Sequence, residues 1–334
     1  MQTYALCKML ESLGVDVNII NLKNPEEKNR RRSLRFWLSS GIVKLRFDAF
    51  RKKYFPKMTK EMFVINPNLL PKTDAYISGS DQIWNPNIVG NNLPAYMLSF
   101  VPDSFQKFSY ASSFGVNSWD FDNKISEQVK SYLSKYNKLS VREDTGVTIC
   151  KDKFNIDAVQ VLDPTLLLAD YSELLPRKIE IKNQLVIFKL VQDEEFYKVQ
   201  AYLKSKTGLR TVLLYTNRPR FEFDQSVMFC SPQLWLSKLA SARLVLTDSF
   251  HGLAFSIIFR KNFIVLGGPE GKTTRLKSLL SILNLEDRFI NTLEELKNKP
   301  SLYSDQIDYD IVYEKLKKER DYSLEYLKSI VRSL

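Results

Sequence analysis

Apolar runs of strand length alternate with helical patterns along most of this 334-residue chain. The first half has a helical pattern over about 2–13 and one basic helical stretch, and its predicted strands are VDVNII, DAYIS, KFSYAS, KLSVR and AVQVL. The second half has predicted strands at QLVIFKL, TVLLY, VMFC, RLVLT and FIVLG, and predicted helices over about 193–206, PQLWLSKLASA, 250–259, TRLKSLLSIL and a closing segment of about 308–333. This alternation is typical of α/β folds with parallel sheets.

The two halves of the pattern meet near the segment LADYSELLPRKIEIKN. The chain is longer than the roughly 250–300 residues at which single hydrophobic cores tend to stop growing. We therefore predict two α/β domains, an N-terminal one over 1–170 and a C-terminal one over 171–334 that includes the closing helix.

Composition excludes several classes of protein. No apolar run approaches the roughly 18 residues of a membrane-spanning helix, and the start has no secretory signal pattern, so the protein is expected in the cytoplasm. The cysteines Cys7, Cys150 and Cys230 are widely separated and form no CxxC pair. They predict reduced thiols, with neither a zinc site nor a disulfide framework.

The formal charge of +11 is concentrated between residues 28 and 60, where twelve Lys and Arg face the single acid Asp48. Because the charge belongs to one segment, it is not taken as a sign of nucleic-acid binding. Apolar residues recur within the segment at helical spacing, namely Leu34, Trp37, Leu38, Ile42, Leu45, Ala49 and Phe50. Two interpretations stay open: a helix packed on the first domain with a solvated charged face, or a surface held at the anionic inner leaflet of the cell membrane.

Candidate chemistry lies in the loops that follow predicted strands, since ligands of parallel sheets bind at the carboxyl ends of the strands. One such loop, VLTDSFHG, contains His251, the single histidine of the chain. Thr247, Asp248 and Ser249 stand where a helix needs its N-cap, and Gly252 allows close approach. This helix end suits a phosphate or a carboxylate; the alternative is an ordinary capped helix with a packed or solvated histidine.

The loop YISGSDQIWNP follows another strand and contains Gly79, Ser80, Asp81 and Gln82. An Asp at this position can act as a general base or bind sugar hydroxyls, and the Gln amide can do the latter. The alternative is a polar turn anchored by Trp84.

Three further loops carry weaker signals. Ser112 and Ser113 in SYASSFG suit phosphate oxygens or close packing. Arg142 in SVRE suits a carboxylate or a phosphate, or an ion pair with Glu143. Asp163 in VLDPTLLL is expected to accept hydrogen bonds from backbone N–H groups.

Two basic residues, Lys272 and Arg275, follow the predicted strand FIVLG. This places them close to His251 in the topology of a parallel sheet. They are either ligands for an anionic substrate or solvated charges at the start of a helix.

Six segments together resemble the polysaccharide pyruvyl transferase family: ISGSDQIWNP, SYASSFG, SVRE, VLDPTLLL, ARLVLTDSFHGLAFSIIF and TTRLKSLLSILNLEDRF, in the order and spacing of that family. The resemblance implies two Rossmann-like domains facing a cleft, as in glycosyltransferase-B folds. We expect 1–170 to form the acceptor side and 171–334 the donor side.

The resemblance also implies an activity. The enolpyruvyl group of phosphoenolpyruvate is transferred to sugar hydroxyls, which gives a pyruvate ketal on a cell-surface glycan, such as an exopolysaccharide or capsule, or on its polyprenyl-linked precursor, and releases phosphate. His251 is the candidate acid or phosphate ligand and Asp81 the candidate base or acceptor ligand. No metal or additional cofactor is required. The candidate substrate-binding residues are Gly79, Ser80, Gln82, Ser112, Ser113, Arg142, Thr247, Ser249, Gly252, Lys272 and Arg275.

The chain departs from the family pattern at two places. Many members carry an Arg two positions before the His, where this chain has Ser249, so the positive charge is expected from Arg142, Lys272 or Arg275. Members also begin with a strand before the first helix, whereas Met1 opens within a helical pattern, so that strand is expected to be missing. Two other functions therefore stay open, a nucleotide-sugar-dependent glycosyltransferase and a non-catalytic glycan-binding or assembly protein of the same fold.

Overall fold

The structure, a computed structural model, describes residues 1–23, 34–216, 220–268 and 273–334, with the side chains of 34–40 and of Thr216 outside the description. The chain divides into two compact units. Unit 1 comprises Met1–Arg31, Tyr54–Leu168 and Lys317–Leu334, and unit 2 comprises Arg32–Lys53 and Ala169–Leu316.

Unit 1 is built from short strands and helices. Its strands are β1 (Asn18–Ile19), β2 (Lys57–Met58), β3 (Ala75–Ser78), β4 (Gln106–Ser109), β5 (Ser140–Val141) and β6 (Val159–Gln160). Its helices are α1 (Gln2–Ser12), α3 (Pro86–Val89), α4 (Leu93–Tyr96), α5 (Asn123–Leu133), α6 (Asp144–Thr148) and α7 (Pro164–Leu168), while α2 (Leu34–Tyr54) belongs almost wholly to unit 2.

Unit 2 alternates longer strands with helices. Its strands are β7 (Gln184–Phe188), β8 (Arg210–Thr216), β9 (Gln225–Met228), β10 (Leu244–Thr247), β11 (Asn262–Leu266) and β12 (Phe289–Ile290). Its helices are α8 (Glu194–Thr207), α9 (Pro232–Ala240), α10 (Phe250–Ile258), α11 (Thr274–Leu283), α12 (Leu293–Lys297) and α13 (Ser301–Ser304). The last helix, α14 (Tyr309–Val331), contributes residues to both units.

The described strands of unit 2 form one parallel sheet in the order β12-β11-β10-β7-β8-β9. The first strand of this unit, β7, therefore lies in the middle of the sheet next to β10. Strands β8 and β9 are added on one side, and β11 and β12 on the other. This order is that of the Rossmann fold, in which the chain reverses its direction of winding between the two central strands. The apolar runs predicted these strands because parallel strands are buried on both faces.

The core of unit 2 lies between its sheet and the helices around it. Leu185, Leu213 and Ile264 from the strands pack with Phe196 and Leu203 of α8, and all five side chains are buried. Asp193 caps α8 by accepting the Phe196 N–H at 2.9 Å.

In unit 1, β3 pairs with β4 and β5 with β6, both in parallel, and β1 pairs with β2. Single bridges, from Phe108 to Lys138 and from Ser112 to Val141, join the segment that contains β4 to the segment that contains β5. The regular pairing is shorter than the apolar runs predict because the backbone leaves the extended conformation early: Ala111, inside the predicted strand KFSYAS, has a φ of +52°.

The final turns of α14 pack on unit 1. Leu327 and Ile330 are fully buried against Phe108 of β4, and the Tyr326 hydroxyl donates to the Ser109 carbonyl oxygen at 3.0 Å. The C-terminal part of the closing helix thus completes the core of unit 1.

Helix α2 corrects one expectation about the basic segment. The single predicted stripe is wrong, because Phe50 is buried at 4% exposure whereas Ile42, Leu45 and Ala49 are exposed. The side chains of Leu34, Trp37 and Leu38 lie outside the description, as do residues 24–33. The described part of this segment up to Lys53 belongs to unit 2 and not to unit 1.

Candidate functional site

The carboxyl ends of β7 and β10 lie side by side at the reversal point of the unit 2 sheet. Phe188, the last residue of β7, is in register with Thr247, the last residue of β10. Open α/β sheets bind ligands at this point, because the loops after the two strands leave in opposite directions and open a crevice. The segment from Thr247 to Gly252, predicted as a candidate site, begins here.

The first turn of α10 is built by hydroxyl groups. The Thr247 hydroxyl donates to the Phe188 carbonyl oxygen at 2.7 Å and accepts the Ser249 N–H at 3.0 Å. Ser249 is the N-cap, and its hydroxyl oxygen accepts the Gly252 N–H at 3.5 Å. Both hydroxyl side chains are buried, so the helix starts from a fixed turn.

His251 stands in this first turn and is half-buried. Its ring meets that of Phe250 edge to face, with 5.4 Å between the ring centroids. An imidazole at a helix N-terminus is near the positive end of the helix dipole, where an anion is favoured. The arrangement can therefore present an imidazole to a phosphate or a carboxylate.

Gly252 is required by the close approach of α10 to the end of β10. A Cβ added to Gly252 would lie 2.2 Å from Thr247 Oγ1 and 3.0 Å from Thr247 Cβ. Real Cβ atoms do not approach an oxygen so closely, so a larger residue has to push the helix away from the strand. The sequence predicts that Gly252 allows the close approach of an anion, and the structure shows the close approach of the Thr247 side chain.

Sequence reasoning missed Lys189, which lies at the same place. Its Nζ lies 3.0 Å from Asp248 Oδ2, and the side chains are 0% and 7% exposed. Asp248 also accepts the N–H groups of Leu190 at 2.6 Å and Val191 at 2.9 Å. The only sequence signal was a lysine near the end of the apolar run QLVIFKL, where a parallel strand ends.

The Lys189 ammonium reaches a third loop as well. It donates to the carbonyl oxygens of Leu266, the last residue of β11, at 3.2 Å and of Gly267, the next residue, at 3.4 Å. One buried charge therefore joins the loops after β7, β10 and β11. Because Asp248 neutralises it, its role in this structure is to hold the turn before α10.

The two basic candidates after β11 are placed differently. Lys272 lies outside the described residues. Arg275 is the second residue of α11 and is half-buried. Helix α11 packs against α10, so Arg275 stands at the start of a helix that neighbours the helix of His251.

In unit 1, the candidate loop after β3 lies beside the loop after β4. Asp81 forms a parallel bridge with Ser112, and its carbonyl oxygen accepts the Ser113 N–H at 3.0 Å. The φ of Asp81 is +104°, a conformation that favours glycine. Strain of this kind persists where the surroundings impose it, and it is frequent at functional sites.

The neighbours of Asp81 are held by the same two loops. The Ser112 hydroxyl donates to the Gly79 carbonyl oxygen at 3.0 Å, and Gln82 Nε2 donates to the Gly115 carbonyl oxygen at 3.4 Å. Trp84 is fully buried, and its ring centroid lies 5.4 Å from that of Phe114. The turn anchored by Trp84 is therefore observed, with Asp81 only partly buried within it.

Asp163 is the centre of a buried polar network in unit 1. Its Oδ1 accepts the Thr165 N–H at 2.9 Å and the Thr165 hydroxyl at 2.6 Å. Its Oδ2 accepts the Ser80 hydroxyl at 2.8 Å and Arg142 Nη1 at 3.1 Å. The expected bond from a backbone N–H is confirmed, and the side-chain bonds add to it.

Arg142 pairs with both buried carboxylates. Its Nε donates to Glu143 Oε1 at 2.8 Å, and the same oxygen accepts the Ser113 hydroxyl at 2.8 Å. Burial lowers the pKa of the Arg142 guanidinium, but the carboxylates of Glu143, Asp163 and Asp81 outweigh burial and raise it above its ordinary value. The network fixes the loops on both sides of Asp81.

The comparison with known sequences decides the family. Residues 1–268 match the family described as polysaccharide pyruvyl transferase. The chain belongs to the polysaccharide pyruvyl transferase family. The family match includes all the candidate residues from Gly79 to Gly252 and ends before Arg275.

A curated relative of this family member is General stress protein 30 of Bacillus subtilis (strain 168), which is 27% identical over 168 residues. The aligned region is 48% of this chain and 47% of that protein. The chain thus spans about half the length of the curated relative it matches.

Solved structures of other proteins share the fold of this pyruvyl transferase family member. Arabidopsis thaliana UGT89C1 complexed with UDP-L-rhamnose aligns with a TM-score of 0.53 and 11% identity, over 97% of this chain and 93% of that one. UDP-N-acetylglucosamine 2-epimerase from Rickettsia bellii aligns with a TM-score of 0.52 and 9% identity, over 100% of this chain and 96% of that one. The predicted α/β fold of glycosyltransferase-B type is confirmed.

Proposed function

We propose that this family member transfers the enolpyruvyl group of phosphoenolpyruvate to two hydroxyls of a sugar in a cell-surface polysaccharide or in its polyprenyl-linked precursor. The observation that carries the proposal is the position of His251, in the first turn of α10 at the reversal point of a Rossmann sheet, within a chain of the polysaccharide pyruvyl transferase family. Such a helix end favours a phosphate.

The reaction proceeds by proton transfers and needs no metal. A proton adds to C3 of phosphoenolpyruvate, which turns the methylene into a methyl group and makes C2 electrophilic. The first sugar hydroxyl bonds to C2 and loses its proton to a base. The second hydroxyl then bonds to C2 as the bond from C2 to the phosphate oxygen breaks. The products are a cyclic pyruvate ketal and inorganic phosphate, and of the two hydroxyl protons one replaces the proton added at C3 and the other leaves with phosphate.

His251 is the proposed acid or phosphate ligand on the donor side. Thr247 and Ser249 hold its turn through their hydrogen bonds, and Lys189 holds the preceding residue, Asp248. Arg275 is the proposed source of the positive charge that many members obtain from an Arg in the position of Ser249.

Asp81 is the proposed base or acceptor ligand in unit 1. Asp81 is only partly buried, whereas Glu143 and Asp163 are buried and paired with Arg142. Ser80 and Gln82 flank it and can bind sugar hydroxyls. The acceptor is assembled at the inner face of the cell membrane on this proposal, and the enzyme works in the cytoplasm.

The test is phosphate release from phosphoenolpyruvate in the presence of a panel of pyruvylatable sugars and polyprenyl-linked oligosaccharides. Release that requires both substrates, with a ketal product in the mass spectrum, supports the proposal. Binding is tested separately by thermal-shift titration, because a ligand of the native state raises the unfolding midpoint. A shift with a nucleotide sugar but none with phosphoenolpyruvate would instead make the protein a glycosyltransferase, and a shift with glycans alone a binding protein.

A further inference from the structure

The solvent-facing side of α2 (Leu34–Tyr54) carries apolar side chains. Leu45 is 71% exposed and Ile42 is 40% exposed, and Ala49 is exposed as well. Positions 42, 45 and 49 follow the i, i+3, i+7 spacing that places residues on one side of a helix. Phe50, at 4% exposure, lies on the other side. We call Ile42, Leu45 and Ala49 the outer stripe of α2.

Basic side chains flank the outer stripe. The exposed ones among the described residues of α2 are Lys44, Arg46, Lys52 and Lys53. The single acid, Asp48, lies between two bases, with its carboxylate 3.5 Å from Lys44 Nζ and 2.9 Å from Arg51 Nη1. The surface around the outer stripe is therefore positive as a whole.

The helix is fixed with this side outward. Arg46 donates through Nη1 to the Phe229 carbonyl oxygen within unit 2, and the half-buried Val43 and Phe47 share the inner side with Phe50. Among the described residues of α2, the apolar side chains that pack are the buried or half-buried ones at positions 43, 47, 50 and 54. The outer stripe is thus not needed for that packing.

The chemistry of this surface selects one partner. A second copy of the chain brings the same positive charge, which repels. An anionic bilayer offers phosphate groups to Lys and Arg and an acyl region to Leu and Ile, which is how amphipathic interfacial helices bind membranes. Among the described residues, no helix has both the length and the apolar character for crossing a bilayer.

We propose that α2 binds the headgroup region of an anionic lipid bilayer, with the outer stripe toward the acyl chains and the flanking Lys and Arg on the lipid phosphates. The inference gives a surface to the proposed location at the membrane. It rests on no step of the proposed reaction, so it is tested without any assay of activity.

The first experiment is co-sedimentation of the full chain with vesicles. Vesicles of phosphatidylglycerol and phosphatidylcholine in equal parts are expected to pellet the protein, and vesicles of phosphatidylcholine alone are not. High salt is expected to release the protein, because the attraction between the lysines and the phosphates is screened. Equal recovery with both vesicles, or none with either, overturns the proposal.

The second experiment removes each component in turn. Ile42→Ser with Leu45→Ser is expected to lower partitioning onto anionic vesicles about tenfold. The matched control changes Phe221 and Ile311 to Ser, two other exposed apolar side chains outside α2. Gln at Lys44, Lys52 and Lys53, which are exposed bases of α2, is expected to lower partitioning about a hundredfold. The control for charge places Gln at Lys151, Lys178 and Lys297, which are exposed and lie outside α2. Loss in the controls equal to the loss in the variants overturns the proposal.

The third experiment reports directly on the environment of α2. The native thiols Cys7, Cys150 and Cys230 are buried, so Leu45→Cys offers a surface thiol for an environment-sensitive fluorophore. The emission of this label is expected to shift to shorter wavelength on anionic vesicles. The emission of the same label on Ile311→Cys is expected to stay unchanged. An unchanged Leu45→Cys label on protein that pellets shows that another surface binds, which overturns the proposal.

Light scattering separates the remaining alternative. The wild-type chain and the Ile42→Ser, Leu45→Ser variant are expected to have the same mass in solution. A dimer that this variant converts to a monomer assigns the outer stripe to a second copy of the chain and overturns the proposal.

Discussion

The ammonium of Lys189 lies 3.0 Å from Asp248 Oδ2, and both side chains are buried at the carboxyl edge of the unit 2 sheet. Lys189 follows β7 and Asp248 follows β10, so the pair spans the point where the strand order reverses. Asp248 immediately precedes Ser249, the N-cap of α10. The position of the His251 turn therefore depends on an ion pair between residues 59 positions apart.

Replacement of Lys189 by Met is expected to lower the free energy of unfolding by about 3–5 kcal/mol, because it leaves the Asp248 carboxylate buried without its counter-charge. The measurement is chemical denaturation monitored by circular dichroism. Lys189→Met combined with Asp248→Asn removes both charges and is expected to recover part of the loss. Equal loss in the single and double variants contradicts a role for the charge pair.

His251→Asn keeps the size and some of the hydrogen bonding of the side chain but cannot carry a proton. We expect normal folding and a loss of about two or more orders of magnitude in kcat, the scale of a general acid. The measurement is the rate of phosphate release from phosphoenolpyruvate. Weaker donor binding with kcat intact would make His251 a phosphate ligand, and near-native kinetics would make it structural.

Gly252→Ala tests the contact between α10 and the end of β10. Ala is normally favoured over Gly inside a helix by about 1 kcal/mol, but here its Cβ would lie 2.2 Å from Thr247 Oγ1. We expect a net destabilisation of about 1–3 kcal/mol, read from the denaturation midpoint. Gly268→Ala is the control, because a Cβ there meets nothing within 4 Å; a stabilised Gly252→Ala variant would disprove the contact.

Lysine substitution separates the roles of Arg142 and Arg275. Arg142→Lys cannot reproduce the bonds from Nε to Glu143 and from Nη1 to Asp163, so we expect it to lose about 2 kcal/mol or more of stability. Arg275→Lys is expected to raise the KM for phosphoenolpyruvate, because Lys keeps the charge but loses the bidentate fork of the guanidinium. Unchanged donor dependence in Arg275→Lys would remove Arg275 from the donor site.

The buried thiols predict a fall in stability at alkaline pH. Burial raises the pKa of Cys7 and Cys150 to about 12 and that of Cys230 to about 11. Each thiol stays protonated in the folded state while the unfolded thiol ionises near its ordinary value of about 9. Stability is therefore complete below that value and declines as the pH rises toward the folded pKa.

The loss per thiol is about 1 kcal/mol by pH 9.5. It is measured from denaturation curves between pH 7.5 and 9.5, a range in which Cys150→Ala should show a smaller decline than the wild-type chain. An identical pH dependence in both chains contradicts burial of this thiol. The sequence left open whether the three thiols lie in the core or at the surface. The structure places all three in the core.

The pattern of apolar residues was enough to predict most of the elements of unit 2. The segment RLVLT corresponds to β10 (Leu244–Thr247) and PQLWLSKLASA to α9 (Pro232–Ala240). These predictions work because a parallel strand is buried on both faces and a helix on one, so each has its own period of apolar residues. The position of His251 at the start of a helix follows from the same local information.

Periodicity did not reveal which side of α2 is buried. Leu45 and Phe50 belong to one set of apolar letters, yet Leu45 is 71% exposed and Phe50 is 4% exposed. Five residues along a helix correspond to a rotation of about 140° between the two side chains. The neighbours of the helix select the buried side, and those neighbours are distant in sequence.

By itself, the sequence determined the α/β class, the family motifs and the loops that carry Asp81 and His251, because these depend on local composition and on spacing along the chain. Only the tertiary structure decided that Lys189 pairs with Asp248, that Arg142 is shared by Glu143 and Asp163, and that Gly252 lies against Thr247. The pairs Lys189–Asp248 and Arg142–Asp163 join the ends of paired strands, β7 with β10 and β5 with β6. The order in which strands pair is set by the packing of the whole sheet, and no single segment encodes it.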